Sequence, residues 1–193
     1  MSYFIAVFWI VGSSIVTPFP SSMFNRLVHI IDELSDRAGQ TSAFMVILLF
    51  FIMGYEVSAR FIFDLPTFWA YELGYMITGL HYVFGIAYVT KMKQHIRVDF
   101  LYSILPARAQ ATIDCAVLTF FLMPVTIWMT WQLGRVALEA FIVGETSGES
   151  AWNPIIWPLR MMVTIGFSFF ALQIVAEVIR SFRTMIGRPV PVP

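Results

Sequence analysis

The three histidines are the side chains best suited to hold a redox cofactor in this 193-residue chain. A haem in a membrane protein commonly needs two imidazoles at similar depth on facing helices. Only His81 lies deep in a long apolar run, whereas His29 and His95 lie among charged residues. A haem site is therefore not indicated and no cofactor is expected. We interpret His81 as a hydrogen-bonded interior residue.

Carboxylates that bind protons or cations would be needed if the chain transported a substrate by itself. Those within or beside the apolar runs all lie near the ends of these runs: Glu56, Glu72, Asp114, Glu139 and Glu177. No run combines a central glycine or proline break with clustered polar residues, the pattern typical of a substrate site within a transporter. Nucleotide-binding, zinc-protease and serine-hydrolase motifs do not occur either. We predict that the chain is not an enzyme.

The amino-acid composition indicates the fold class that positions these histidines and carboxylates. Hydrophobic residues make up 59% of the chain and charged residues 12%, whereas soluble domains contain roughly 45–50% and about 25%. Twelve basic residues balance twelve acidic ones, which argues against a nucleic-acid partner. The single cysteine, Cys115, excludes an internal disulfide. The fold class that follows is an all-α integral membrane protein.

Four apolar runs are long enough to cross a bilayer as helices of about 20 residues. We predict spans at about 41–63, 68–90, 112–138 and 156–179 within a single membrane domain, 21–181. Thr67 is expected to cap the second span, and Pro124 to kink the third. One face of the second span is predicted to pack against another helix, because it carries small residues. Its members are Gly74, Thr78, His81, Gly85 and Tyr88.

Two further segments have the periodicity of amphipathic helices that lie in the membrane interface. In 21–38, apolar residues recur at helical spacing, Asp32 lies on the charged side, and Gly39 is predicted to end the helix. Segment 94–106 has a similar pattern and ends at Pro106. We predict that both arm helices contact membrane lipids and resist tilting, because burying their charges in hydrocarbon is unfavourable.

The two chain ends are predicted separately. Residues 1–20 form a hydrophobic segment that is short for a span and lacks signal-peptide flanks. We favour a membrane-dipping helix there; an extra span and an upstream start, with Met23 opening a shorter product, are the alternatives. Residues 182–193 are predicted to be a flexible tail.

The distribution of basic residues predicts the orientation, because positively charged loops remain in the cytoplasm. Nine basic residues fall on one side of the four spans and three on the other. Both termini are therefore expected to be cytoplasmic, with the loop carrying Glu145 and Glu149 outside. The nine are Arg26, Arg37, Lys91, Lys93, Arg97, Arg108, Arg180, Arg183 and Arg188, and the three are Arg60, Arg135 and Arg160.

Polar residues at the outer ends of the first two spans are candidates for structural or partner contacts. Glu56 and Arg60 have the i,i+4 spacing of a helical ion pair, which as an ordinary surface pair would contribute less than about 1 kcal/mol. Glu72 would pair with Arg60, meet a partner protein, or simply complement the helix N-terminus.

The order and spacing of three motifs resemble the small permease subunit of tripartite ATP-independent periplasmic (TRAP) transporters, the DctQ-like family. The motifs are Glu56-Val-Ser-Ala-Arg60-Phe-Ile-Phe; Pro66 with Trp69 and Glu72-Leu; and His95-Ile-Arg97-Val-Asp99-Phe-Leu-Tyr102 before Leu105-Pro106. The last is the most specific. The resemblance covers roughly residues 31–181.

The resemblance implies a bacterial inner-membrane protein that binds a large multi-span TRAP permease subunit. An extracytoplasmic substrate-binding protein would deliver an organic acid, and a sodium gradient would drive uptake. The large subunit would move the substrate in an elevator-like manner, while the small subunit stays fixed. His95, Arg97 and Asp99 are then expected to fix the second arm to the bundle, rather than to serve only as a basic flank.

Two other classes remain open from the residues alone. A membrane anchor of a redox complex would show a haem spectrum when purified. A small self-sufficient exporter would transport when reconstituted by itself.

Overall fold

The computed structural model describes residues 21–65, 67–92 and 106–186. Its helices are α1 (Ser21–Ile62), α2 (Phe68–Lys91), α3 (Ala107–Val117), α4 (Met123–Val143) and α5 (Trp157–Met185). A π-helical turn, Leu118–Leu122, joins α3 to α4 without interruption. The described residues therefore contain four helices that are long and apolar enough to cross a membrane. This confirms the predicted all-α membrane architecture.

Helix α5 holds the bundle together, because it packs against α1, α2, α3 and α4. The α1–α2 hairpin lies on one side of it and α3–α4 on another. A Cβ atom at Gly166 of α5 would lie 2.5 Å from Val83 Cγ1 of α2, so the glycine permits a close helix crossing. The α3–α4 helix is the least covered: 6% of its most apolar stretch is buried, against 33% for α5.

Helix α1 is one continuous helix, so the break predicted at Gly39 is wrong. Glycine is required there by a tertiary contact, since a Cβ atom would lie only 2.6 Å from Cγ of Tyr88 in α2. At 1.5 Å per residue, the 42 residues of α1 extend about 63 Å, roughly twice the thickness of a hydrocarbon core. Its N-terminal half is therefore additional to a single span.

That N-terminal half also packs differently from the separate arm predicted for 21–38. Val28 and Ile31 form a core cluster with Ala176 of α5. Asp32, predicted on the charged and exposed side, is buried, as is Ser35. The buried face of this half of α1 therefore differs from the predicted apolar face. It includes Asp32 and Ser35, because these residues face α5. Phe24 remains exposed.

The helix boundaries correct the predicted start of the C-terminal tail. Helix α5 extends to Met185, so residues 182–185 are helical and do not belong to the flexible tail predicted at 182–193. Three predicted segments lie outside the described residues: 1–20, the second arm up to residue 105, and the end of the tail, 187–193. The last residue predicted for the second arm, Pro106, is the N-cap of α3.

The structure differs from the predicted helix cap at Thr67 and from the predicted kink at Pro124. Thr67 occupies the N-cap position of α2, but its side chain makes no capping hydrogen bond. Just before Pro124, where a kink is predicted, the helix widens into the π-helical turn. Proline has no N–H to donate, and wide turns of this kind occur where the normal ladder of hydrogen bonds is interrupted.

Candidate functional site

A buried polar cluster connects the N-terminal half of α1 to the C-terminal half of α5. We call it the Arg180 cluster: Asp32, Ser35, Gln173, Glu177 and Arg180, none of them more than 4% exposed. Arg180 donates through Nη1 to Glu177 and through Nη2 to Asp32. One guanidinium therefore lies between carboxylates from two different helices.

Gln173 completes the Arg180 cluster from the neighbouring turn of α5. Its Nε2 donates to Asp32 Oδ1 and to Glu177 Oε1, both at 3.4 Å. Its Oε1 accepts a hydrogen bond from Ser35 Oγ at 2.7 Å. The amide thus bonds to both carboxylates of the cluster and adds a second polar link between α1 and α5.

Helix α2 is attached at the same end of the bundle through Lys91. The Lys91 Nζ atom lies 2.6 and 2.7 Å from the two carboxylate oxygens of Asp36. It also lies 3.5 Å from the backbone carbonyl oxygen of Asp32. Polar contacts therefore connect three helices at this end.

A second cluster lies at the opposite end, where α2 begins. We call it the Glu72 cluster: Glu72, Ser147 and Ser150. The Glu72 side chain is fully buried at 0% exposure. One of its oxygens accepts a hydrogen bond from Ser147, and the other accepts from Ser150 Oγ at 2.8 Å. Glu72 thereby fastens the α4–α5 connection onto the start of α2.

The α4–α5 connection is also ordered internally. Arg160 donates to both oxygens of Glu145, at 2.6 and 2.7 Å. Thr146 and Ile155 form an antiparallel bridge. Gly148 adopts a left-handed conformation with φ 68°, and its N–H donates to Asn153 Oδ1 at 2.8 Å. The connection is a folded hairpin with Glu72 beneath it.

The sequence-predicted pair of Glu56 and Arg60 forms, with Arg60 Nε 3.0 Å from Glu56 Oε1. The alternative pairing of Glu72 with Arg60 does not, because Glu72 is occupied by the two serines. The full burial of Glu72 also removes it from the surface on which a partner could meet it. Within the described residues, three buried side-chain atoms have no hydrogen-bond partner: Glu56 Oε2, Thr67 Oγ1 and Arg180 Nε.

His81 lies on the face of α2 that packs against α1. Its Nδ1 atom is 2.7 Å from Ser42 Oγ, and the same hydroxyl donates to the His81 carbonyl oxygen at 3.0 Å. Gly85 keeps this crossing close, since a Cβ atom there would lie 3.0 Å from Ser42 Oγ. The packing face predicted for α2 is therefore in contact with α1. His95, Arg97 and Asp99 lie outside the described residues.

The Arg180 cluster was missed because its members look conventional in the sequence. The sequence pattern assigns Arg180 to a basic flank and Asp32 to an exposed helix face. A usable signal exists, however: Gln173, Glu177 and Arg180 recur at i, i+4 and i+7, which places three polar side chains on one face of an apolar helix. Such a stripe predicts a polar helix contact.

Both clusters join helices and connections through direct bonds between side chains. Across the described ranges, no three His, Cys, Asp or Glu side chains converge as a metal site would require. The fold and the clusters define a multi-pass helical membrane protein whose buried polar groups stabilise its own packing.

Comparison with known families places the chain more narrowly. The family model for the DctQ component of tripartite ATP-independent periplasmic transporters matches residues 49–184. The chain therefore belongs to this family, as the resemblance indicated, and is a small membrane component of TRAP transporters. In these systems the DctQ component works with a large permease and a binding protein. No curated protein matches the chain in sequence.

Proposed function

We propose that this chain is the scaffold subunit of a sodium-driven, binding-protein-dependent transporter that imports organic acids across a bacterial inner membrane. The large permease would carry the substrate and the ions, and this chain would remain fixed beside it. Family membership supports the transport system. The Arg180 cluster is the observation that carries the scaffold role.

A subunit that supports a moving partner must resist deformation itself. Separating α1 from α5 would leave the Asp32 carboxylate without its buried cation, because Arg180 and its other partner, Glu177, both lie on α5. Breaking a buried ion pair costs about 3–5 kcal/mol when it leaves one charge uncompensated. The Lys91–Asp36 pair adds α2 to the same unit. The geometry thus favours α1, α2 and α5 moving together as a single body.

The orientation that we propose follows from the basic residues at the end of the bundle that holds the Arg180 cluster. Arg37, Lys91, Arg180 and Arg183 all lie in the helices that meet there. Because basic residues favour the cytoplasmic side, this end would face the cytoplasm. The Glu72 cluster would then face outward, on the side from which the binding protein delivers its substrate.

The proposal also keeps a role for the sequence motif around His95, Arg97 and Asp99. These residues would attach the second arm to the bundle and, with the exposed end of α1, contact the membrane lipids. Both chain termini would lie in the cytoplasm.

The test is uptake into proteoliposomes of labelled mono- and dicarboxylic acids. The vesicles contain the large permease with or without this chain, the binding protein is added outside, and an inward sodium gradient is imposed. We expect uptake only with all three proteins and the gradient.

Three outcomes would contradict the proposal. Full uptake by the permease and binding protein without this chain would exclude an essential scaffold. Transport by this chain alone would support the exporter, and a haem absorption spectrum would support the redox anchor.

A further inference from the structure

Helix α2 has three faces, of which the described structure covers two. Helix α1 covers the face with Gly74, His81 and Gly85, and α5 covers the side with Val83 and Phe84. The third face is exposed. We call it the tyrosine face, and it consists of Tyr71, Tyr75, Gly79 and Tyr82.

The depth of this face is unusual for tyrosine. Tyr82 is the fifteenth of the 24 residues of α2, so its Cα atom lies about 21 Å from the start of a helix about 36 Å long. Tyrosine usually lies at the membrane interface, where its hydroxyl reaches water or headgroups. The position of Tyr71 fits that pattern, whereas Tyr82 lies close to the middle of the span.

Two hydroxyl groups on this face make no hydrogen bond within the part of the chain that the structure describes. Within the described residues, no side chain or carbonyl forms a hydrogen bond with the hydroxyl of Tyr75 or Tyr82. Tyr82 is 70% exposed, and its ring contacts only the neighbouring His81 imidazole among described aromatic groups. A hydroxyl in hydrocarbon without a hydrogen-bond partner is unfavourable. Another protein that presents acceptors would remove this penalty.

Gly79 lies between Tyr75 and Tyr82 on the same face and is open. A Cβ atom built there would meet nothing within 4 Å. Glycine is a poor residue for the interior of an isolated helix, but it allows the backbone of a second helix to approach closely in a membrane. Small and hydroxyl-bearing residues together are therefore typical of a helix-docking surface.

Two exposed patches of phenylalanine differ in chemistry from the tyrosine face. Phe50 and Phe51 lie on the exposed side of α1, and Phe120 and Phe121 on that of the third span. These side chains carry no hydrogen-bonding group, so lipid chains satisfy them. The contrast distinguishes the tyrosine face from a surface suited to lipid.

We propose that the tyrosine face is where a transmembrane helix of the large permease docks. This inference rests on the proposed function and adds the surface that it uses. The docking helix would cross closely at Gly79 and present hydrogen-bond acceptors, such as Ser, Thr, Asn or Gln side chains, to Tyr75 and Tyr82. A binding protein outside the bilayer cannot reach Tyr82, and lipid chains offer no acceptor.

The experiment compares Gly79→Leu with Gly54→Leu. Gly54 of α1 is matched to Gly79, because a Cβ atom built at either position would meet nothing within 4 Å, so neither change should disturb the fold of this chain. A tagged large permease is purified from membranes in mild detergent, and the recovered small subunit is quantified. We expect about a fivefold loss for Gly79→Leu, no loss for Gly54→Leu, and about a twofold loss for Tyr82→Phe.

A photo-crosslinking amino acid identifies the neighbour directly. It replaces Tyr82 or, as the matched control, Phe50, which is 72% exposed. We expect an adduct with the large permease from position 82 and little from position 50. An adduct of position 82 with a second copy of this chain, or with lipid alone, would overturn the docking surface.

The two proposals fail in different ways. Failure of the unaltered chain to copurify with the permease would contradict the proposed function. Normal copurification of the unaltered chain and of Gly79→Leu would leave that function standing and overturn the tyrosine face.

Discussion

The two polar clusters bury carboxylates at opposite ends of the same bundle, but they connect different kinds of structure. Arg180 joins Asp32 and Glu177, and so links two long helices across 148 residues of sequence. Glu72 accepts hydrogen bonds from Ser147 and Ser150 and holds a single connection. The comparison indicates that the Arg180 cluster determines how α1 and α5 pack. The Glu72 cluster determines the shape of the α4–α5 connection.

The largest effect is expected when Arg180 is changed. Arg180→Met leaves two buried carboxylates without their cation, which should cost about 3–5 kcal/mol and lower the unfolding midpoint of the purified chain by roughly 10 °C. The matched control is Arg37→Met, because the Arg37 side chain is 73% exposed in its pair with Glu33 and its loss should have little effect.

Neutralising the two carboxylates that pair with Arg180 tests the same prediction more strictly. Adding Asp32→Asn and Glu177→Gln to Arg180→Met should recover most of the loss, because no uncompensated charge remains. Equal unfolding midpoints for Arg180→Met and Arg37→Met would contradict the difference between buried and exposed pairs.

A smaller and more local effect is expected at the other end. Glu72→Ala removes the acceptor for two hydroxyls and should cost about 1–3 kcal/mol. Hydrogen exchange should become faster in residues 144–156 and stay unchanged in the N-terminal half of α1. Glu139→Gln, at an exposed pair with Arg135, is the control. Faster exchange throughout α1 would show that the two ends are not independent.

The spanning helices could be predicted from the sequence because the thickness of hydrocarbon fixes the length of an apolar run. Contacts within one helix could also be predicted from the sequence, since Glu56 and Arg60 are four residues apart. The face of α2 that packs against another helix could be predicted too, but the residues that meet between distant segments could not. Ser147 and Glu72 are 75 residues apart, and no local pattern brings them together.

Gly39 and Asp32 show why the remaining predictions failed. A glycine after an amphipathic run is typical of a helix end, yet Gly39 makes room for Tyr88 from another helix. A charged residue on a helix is usually exposed, yet Asp32 has a buried cation as its partner. Local preferences describe each residue alone, whereas tertiary packing decided both positions.

The most direct test of the scaffold role fixes α1 to α5 and measures transport. Val28 and Ala176 lie in one core cluster between these helices, so Val28→Cys and Ala176→Cys are combined in a Cys115→Ser background and the bridge is formed by oxidation. The single-cysteine variants control for oxidation alone. A fixed scaffold predicts the same sodium-driven uptake by the complex with the bridge closed and with it reduced. Loss of uptake on oxidation, restored by reduction, would contradict it, because α1 and α5 would then have to separate during transport.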